Sequence, residues 1–177
     1  MKRFKAIACV DQNWAIGKDN KLLFHIPEDI NFFKKMTTNN VVIMGNNTFK
    51  SMDENPLSDR TNIVITRKAK NGILRNSGST IIKATPDNVN ILLMSILTST
   101  DKDIFIIGGQ KIYEIYADMC NDIYLTHVET TVDGADAFFP KNAILNNRYE
   151  CETLSEHQYH DKYNNLYRFS IKHYYTD

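Results

Sequence analysis

Short apolar runs alternate along this chain with longer segments of helical periodicity. Six of the runs have the composition of strands and are rich in Ile and Val: residues 4–10, 41–44, 62–66, 80–83, 103–107 and 122–128. Strands that are apolar at nearly every position are usually covered on both faces. The alternation therefore predicts an α/β layer fold around a buried sheet.

The clearest helix signal lies in residues 27–36. Pro27 occupies a helix-start position, two acids follow in the first turn, and Lys34 and Lys35 stand near the end, all of which suits the helix dipole. Further helices are predicted over residues 48–52, 86–98 (with Thr85 as N-cap) and 110–118. Residues 148–174 predict an antiparallel hairpin with its turn at 161–165, whereas residues 68–78 are predicted to form a polar surface loop.

Composition excludes several classes of function. The 177 residues include 21 basic and 21 acidic ones, so the net charge is 0 and the broad positive field that attracts nucleic acid is missing. No stretch approaches the 18 apolar residues of a membrane span. The three cysteines lack the paired spacing of a zinc site. We expect a cytoplasmic protein with reduced thiols, no metal site, and no nucleic-acid or membrane partner.

Two junctions between a strand and a helix carry small residues that let a ligand approach the backbone. Gly45 opens the first, ahead of residues 46–48, and Gly108 and Gly109 form the second. Free N–H groups at a helix start can hold a phosphate, and two such turns suit one diphosphate. Neither turn has P-loop or Rossmann spacing, and the alternative for each is a tight turn that glycine permits.

A third junction ends a strand with Thr66, Arg67 and Lys68. A guanidinium offers two parallel donors and an ammonium offers a point charge, which together suit a phosphate monoester. The alternative is a solvated strand end. A diphosphate cradle beside a receptor for a monoester describes a nucleotide with an additional 2′-phosphate, so the sequence favours NADPH as the cofactor.

Asp29 lies on or near the same face of the first predicted helix as Phe32 and Phe33. A carboxylate on an apolar surface is costly unless it is paired. Two interpretations remain open: Asp29 complements the helix dipole, or it awaits a ligand that presents N–H donors.

Six segments, taken in order over about residues 7–169, resemble the dihydrofolate reductase family. They are IACVDQNWAIG, LLFHIPEDINFFKKMT, VIMGNNTFKSM, PLSDRTNIVITR, IFIIGGQKIYE and IYLTHV with the following GADAFFP. The resemblance implies a single domain over residues 1–177, with a mixed, mostly parallel sheet of eight strands, an antiparallel C-terminal hairpin and about four helices. It also implies a monomer that reduces 7,8-dihydrofolate to tetrahydrofolate with NADPH, binds antifolate inhibitors and supports one-carbon metabolism.

The resemblance assigns five residues to the chemistry. Asp29 matches the family's acid, which accepts hydrogen bonds from pterin N3 and the 2-amino group. Whether it delivers the proton to N5 directly, or only tunes N5 electrostatically while water delivers the proton, stays open. Burial is expected to raise its pKa. Thr126 matches the hydroxyl that supports the acid, Leu22 the loop residue that faces the reacting rings, and Phe24 an aromatic wall, while Tyr113 lines the nicotinamide site.

The substrate and cofactor sites are implied residue by residue. The substrate residues are Ile7, Ala8, Asp29, Phe33, Met52, Leu57, Arg60, Ile107 and Thr126, with Arg60 as a bidentate partner of the glutamate α-carboxylate. The nicotinamide residues are Ala8, Ile16, Gly17, Ile107 and Tyr113. The phosphate residues are Gly45, Asn46, Asn47, Thr48, Gly108, Gly109, Gln110, Lys111 and Ile112 at the diphosphate, and Thr66, Arg67 and Lys68 at the 2′-phosphate. A cis peptide bond often joins the family's two glycines.

The chain departs from the family pattern at two places. Leu23 and Phe24 stand where Pro and Trp are usual, so the indole N–H is lost. Asn46 and Asn47 follow the first glycine, where a basic residue is common. We therefore expect weaker cofactor binding unless Lys50, Lys68 or Lys111 compensates.

Two other functions compete with this interpretation. A pyrimidine reductase of riboflavin synthesis resembles this fold and uses NADPH, but it leaves Asp29 and Arg60 without partners. A nucleotide-binding module that has lost catalysis would explain the departures, yet it does not require the acid that the chain retains.

Overall fold

The six apolar runs all form strands. The computed structural model describes residues 4–68, 72–76 and 78–176. The strands are β1 (Phe4–Val10), β2 (Ala15–Lys18), β3 (Lys21–Leu22), β4 (Val41–Gly45), β5 (Thr61–Ile65), β6 (Gly72–Asn76), β7 (Ser79–Ala84), β8 (Ile104–Ile106), β9 (Asp122–Val128), β10 (Ala137–Phe138), β11 (Glu150–His160) and β12 (Leu166–Tyr175). The helices are α1 (Pro27–Thr37), α2 (Asn46–Ser51), α3 (Val89–Ser99), α4 (Gln110–Tyr116) and α5 (Lys141–Leu145), with a 3₁₀ turn at Ala117–Met119.

Nine strands form one mixed sheet in the order β11-β12-β9-β1-β8-β4-β5-β7-β6. The pairs from β9 through β7 are parallel, and the outer pairs are antiparallel. This confirms the mostly parallel sheet and its C-terminal hairpin. The ninth strand is β6, in a segment that the sequence predicted as a loop; residues 69–71 and 77 of that segment lie outside the described residues.

Alternate side chains of the central strands enter cores on opposite faces of the sheet. One core contains Ile43 of β4 and Ile106 of β8, packed with side chains of α3, α4 and α5. The other contains Val42 and Phe105, with side chains of α1 and α2 against it. Both faces are therefore covered, as the near-continuous apolar runs predict.

The start of helix α1 agrees with the prediction, whereas the starts of α2 and α3 differ from it. Helix α1 has Pro27 at its first turn and basic residues in its last, as expected. Helix α2 begins two residues earlier than predicted, directly after Gly45. The prediction that Thr85 caps α3 is wrong: the helix begins at Val89, because a turn intervenes in which Asn88 Oδ1 accepts the N–H of Thr85 at 2.8 Å.

A second, three-stranded sheet has the order β10-β2-β3. Gly17 of β2 pairs with Leu22 of β3 and with Ala137 of β10, which comes 120 residues later in the chain. We call residues 11–22 the flap. No helix in the described part of the chain is long and apolar enough to span a membrane.

Candidate active site

The centre of the site is a hydrogen bond between a helix and a strand. Asp29 lies in the first turn of α1, and Thr126 lies in the buried strand β9. Thr126 is only 2 % exposed. Its hydroxyl donates a hydrogen bond to Asp29 Oδ1 at 2.6 Å. This contact joins residues 97 positions apart and brings together two residues that the sequence predicted as partners.

Burial controls the acidity of this carboxyl. Desolvation raises the pKa of Asp29 above its ordinary value, and the hydrogen bond from Thr126 opposes part of that rise because it favours the charged form. No ion pair within 4 Å to Asp29 is found among the described residues. A carboxyl in this state can accept two N–H donors when ionised, and it holds a proton at higher pH than an exposed one.

Tyr113 joins the same region from the opposite core. Its hydroxyl donates to the carbonyl of Ile7 at 2.7 Å, which fixes the middle of α4 against the centre of β1. Burial raises the pKa of Tyr113, and the negative charge of Asp29 adds to the rise. The phenol therefore stays protonated and is a permanent donor at this edge of the cleft.

An apolar wall runs from the acid along α1. Its members are partly buried against one core: Phe33, Met52, Leu57 and Ile107. Helix α1 has 11 residues, so its two ends are about 16 Å apart at 1.5 Å per residue. The wall is thus long enough for an elongated aromatic ligand, with Asp29 at one end.

Arg60 marks the other end of this wall. The residue is only 7 % exposed and lines a groove of about 580 Å³ with Lys34, Thr38, Met52 and Leu57. Its guanidinium stacks over Phe33 and donates to Thr38 Oγ1 at 3.1 Å. Its buried Nε has no hydrogen-bond partner among the described residues. A buried cation with a free donor is suited to an anionic group in the groove.

The two glycine turns lie side by side. The N–H of Gly45 donates to the carbonyl of Gly108 at 2.8 Å, and the Gly108–Gly109 peptide bond is cis, as the resemblance leads us to expect. A Cβ atom at Gly45 would lie 3.2 Å from Ile112, and one at Gly109 would lie 3.2 Å from Thr48 Oγ1. A side chain at either glycine would therefore require Ile112 or Thr48 to shift by a few tenths of an ångström.

The side chains around these turns divide into two groups. Asn47 and Lys111 are exposed, and Asn46 and Thr48 are half-buried, so all four border open space. Both polar groups of the Gln110 side chain form hydrogen bonds within the protein. Nε2 donates to Glu114 Oε1, and Oε1 accepts the N–H of Phe138 at 2.9 Å. Gln110 thus ties α4 to β10, and Ile112 packs into the core.

The third junction follows β5 at the same edge of the sheet. Arg67 and Lys68 are exposed, while Thr66 is half-buried and its Oγ1 accepts the N–H of Lys68 at 3.3 Å. Because β4, β5 and β8 are parallel, all three junctions lie at their carboxyl ends, where α/β proteins bind ligands.

The flap covers the carboxyl end of β1. Ala8 and Ile16 are half-buried against one core, and Gly17 is buried beside Ala137. Leu22, which the resemblance places against the reacting rings, is 68 % exposed in β3. Phe24 is buried with Ile26 and contacts Tyr167 edge-on at 5.9 Å, so its ring packs toward the C-terminal hairpin.

Sequence reasoning missed two residues that hold this arrangement. Thr38, at the C-cap of α1, accepts from Arg60 and donates to the carbonyl of Lys34. Asp11 is buried and accepts three backbone N–H bonds at the base of the flap. An acid placed directly after a buried strand and two residues before Asn13 was the available signal.

A mixed α/β sheet with a half-buried acid beside it and paired glycine turns at its carboxyl edge defines an α/β enzyme with a ligand cleft over that edge. A family model described as dihydrofolate reductase matches residues 3–176. The chain belongs to the dihydrofolate reductase family and is an oxidoreductase.

Relatives and a solved structure agree with this assignment. The chain is 32 % identical over 165 residues to dihydrofolate reductase of Haemophilus influenzae, covering 85 % of this chain and 96 % of that one. It is 33 % identical over 171 residues to that of Buchnera aphidicola subsp. Schizaphis graminum, covering 96 % and 97 %. Dihydrofolate reductase from Enterococcus faecalis, solved with NADP(H) and RAB-propyl, matches with a TM-score of 0.72 and 27 % identity over 98 % of this chain and 95 % of that one.

Proposed function

We propose that the chain reduces 7,8-dihydrofolate to 5,6,7,8-tetrahydrofolate with NADPH, as part of one-carbon metabolism. The single observation that carries this proposal is the half-buried Asp29, whose desolvated carboxyl accepts a hydrogen bond from Thr126 at one end of an apolar wall, with the buried cation of Arg60 at the other end. Dihydrofolate has the matching order of groups: a pterin with N–H donors, an aromatic ring and a glutamate.

Asp29 orients the pterin. Its carboxylate accepts hydrogen bonds from N3 and the 2-amino group, so the ring is held in one pose beside the carbonyl of Ile7. The raised pKa of Asp29 favours the state in which the site holds a proton near N5. Phe33, Met52 and Leu57 pack on the rings, and Arg60 binds the α-carboxylate of the glutamate.

The residues at the carboxyl edge fit NADPH. The first residues of α2 and α4, directly after Gly45 and Gly109, offer free backbone N–H groups for a diphosphate, and the exposed Arg67 and Lys68 supply two cations for a 2′-phosphate. Ala8, Ile16 and Gly17 border the nicotinamide. When bound, NADPH supplies the hydride that passes from nicotinamide C4 to pterin C6 while N5 gains a proton. The NADP(H)-bound structural neighbour supports this choice.

The test is the loss of NADPH absorbance on addition of dihydrofolate. We expect the native chain to turn over, and Asp29→Asn to lose at least about 100-fold in kcat at pH 7, because the amide presents N–H groups to the pterin donors. Asp161→Asn, in the exposed turn of the C-terminal hairpin, is the matched control and keeps native activity.

Absence of turnover by the native chain would contradict the proposal. Turnover with the pyrimidine substrate of riboflavin synthesis in its place would identify the competing reductase. A fully active Asp29→Asn variant would remove Asp29 from the chemistry while leaving the reaction itself in place.

A further inference from the structure

Asp11 is a buried carboxylate outside the residues that contact the proposed ligands. It follows β1 directly and is only 1 % exposed. No cation pairs with it within 4 Å in the described ranges 4–68, 72–76 and 78–176. A buried charge persists only when other donors satisfy it, and the donors here are all backbone N–H groups.

The two carboxylate oxygens serve different parts of the chain. Oδ1 accepts the N–H groups of Asn13 and Ala15, both at 2.8 Å, and so shapes the first turn of the flap. Oδ2 accepts the N–H of Val132 at 2.9 Å, a residue 121 positions away in the segment that leads from β9 to β10. One side chain therefore holds the flap and its distant support together.

Backbone bonds around Asp11 show why this tie matters for the flap as a whole. Gln12 N–H donates to the carbonyl of Thr130 at 2.9 Å, and Phe139 N–H donates to the carbonyl of Trp14 at 2.8 Å. Trp14 has a φ of 66°, in the left-handed region, so this turn needs outside support to keep its shape. Ile16 and Gly17 follow within two or three residues.

We propose that Asp11 is a positioning residue. Its carboxylate holds the flap in place beside the cleft by hydrogen-bonding both the turn at 13–15 and Val132. The inference rests on the proposed function, because the flap residues Ile16 and Gly17 are the ones that border the nicotinamide there. Asp11 itself contacts neither ligand in this account.

Substitution of Asp11 by asparagine distinguishes the hydrogen bonds of Oδ1 from the hydrogen bond of Oδ2. Its single oxygen can keep the bonds from Asn13 and Ala15, but its NH₂ group then faces the N–H of Val132, donor against donor. Asp11→Asn should therefore break the bond to Val132 and loosen the flap at its first turn, while the β2–β10 pairing and the Gln12–Thr130 bond remain. Asp161→Asn makes the same change in a carboxylate that also accepts backbone N–H groups, from Tyr163 and Asn165, in the exposed hairpin turn.

Trp14 reports on the flap without any labelling, because it is the chain's single tryptophan. Its ring contacts His127 and Phe139 at centroid distances of 5.5 and 6.3 Å. Burial and the charge of Lys172 lower the pKa of His127 to about 4, so this neighbour stays neutral at pH 7. Changes in Trp14 fluorescence at that pH then arise from changes in packing.

The experiment compares native chain, Asp11→Asn and Asp161→Asn at a temperature where circular dichroism shows all three folded. We expect Asp11→Asn to lower kcat about tenfold, to leave the KM for dihydrofolate within about twofold, and to raise acrylamide quenching of Trp14 about twofold. Asp161→Asn should match the native chain. A folded Asp11→Asn variant with native kcat and native quenching would overturn the proposal, as would an equal loss in Asp161→Asn.

Hydrogen exchange on the native chain gives a readout that needs no variant to fold. The amides of Asn13, Ala15 and Val132 should be protected and should exchange at a common rate, since one carboxylate holds all three. Exchange of Val132 orders of magnitude faster than that of Ala15 would overturn the proposal. Quenching and exchange need no substrate, so a native chain that fails to oxidise NADPH refutes the proposed function and still leaves the tie to be judged.

Discussion

At the scale of single residues, the site depends on a carboxyl kept in an unfavourable place. Asp29 loses hydration in the cleft and has Thr126 as its partner. Because burial raises its pKa, the folded state binds the Asp29 proton more tightly than the unfolded state does. The stability that Asp29 contributes therefore falls as pH rises from the ordinary value of 3.8 through the raised folded-state pKa.

Removing this charge should stabilise the fold while it abolishes catalysis. At pH 7 we expect Asp29→Asn to increase the free energy of unfolding by on the order of 1 kcal/mol, because the neutral amide keeps the Thr126 bond without the desolvation cost. Urea unfolding at pH 7 and pH 4 checks this, and the gain should shrink at the lower pH. A variant less stable than the native chain at pH 7 would contradict the prediction.

Thr126 should control the pH range of activity. Its hydrogen bond lowers the pKa of Asp29, so Thr126→Val should raise that pKa further and move the alkaline decline of kcat to higher pH, with about tenfold lower kcat overall. The pH profile of NADPH oxidation measures both effects. Thr98→Val, at an exposed hydroxyl of α3, is the control. A profile shifted to lower pH would contradict the assigned role.

At the scale of elements, β5 separates two arginines with different proposed anions. Arg60 precedes the strand and is buried, whereas Arg67 follows it and is exposed. The five residues of β5 place the two arginines at opposite ends of the strand. Each arginine should therefore affect one ligand only.

Substituting each arginine separately tests whether each one binds a different ligand. Arg60→Lys should raise the KM for dihydrofolate about 100-fold and leave the KM for NADPH unchanged, because lysine cannot form the two-pronged contact. Arg67→Ala should do the reverse, with about a tenfold rise for NADPH. Steady-state kinetics give the KM for dihydrofolate and the KM for NADPH in each variant. A rise of both KM values in either variant would refute the assignment of one ligand to each arginine.

Helix α2 begins without a cation. Asn46 and Asn47 replace the usual basic residue beside Gly45, so Asn46→Arg should tighten NADPH binding, by about fivefold at low salt. Asn146→Arg, at the exposed C-cap of α5, adds the same charge away from this turn and should leave NADPH binding unchanged. Fluorescence titration of Trp14 gives both dissociation constants. No tightening in Asn46→Arg would count against a phosphate at this turn.

The sequence predicted those elements of the fold whose pattern lies within a short stretch of the chain. The strand limits of β1 and β9 and the extent of α1 follow from hydrophobic runs, Pro27 and flanking charges, so they were predicted closely. Strands β2, β3 and β10 were missed because they are only two to four residues long, too short for a hydrophobic period to show. Strand β10 also pairs with β2 across 120 positions, a tertiary contact that no window of sequence contains.

The candidate site divides in the same way. Asp29 and Thr126 were matched by motif, and the structure brings them together. Asp11 was missed because burial of a charge depends on donors from a remote segment, Val132 among them. The direction of Phe24, toward Tyr167, also depends on the C-terminal hairpin.

At the scale of the whole molecule, distant parts of the chain close one cleft. The flap near the N-terminus pairs with β10 and ties to Val132, while Gln110 joins α4 to β10. A single domain over residues 1–177 stays a prediction. Such coupling should produce one cooperative unfolding transition, and NADPH should raise Tm because it binds only the folded chain.

Calorimetry checks this prediction. With NADPH at 100 times its dissociation constant, the stabilisation should be about 2.7 kcal/mol. Two separate transitions, or a Tm insensitive to NADPH, would contradict it. Sedimentation in the same buffer tests the expected monomer.

The most direct measurement is a crystal structure of the chain with NADPH and an unreactive folate analogue. We predict that pterin N3 and the 2-amino group lie within about 3 Å of the Asp29 carboxylate, with nicotinamide C4 facing C6 and the glutamate on Arg60. A pterin bound elsewhere, or an Asp29 side chain turned out to solvent with both ligands present, would contradict it.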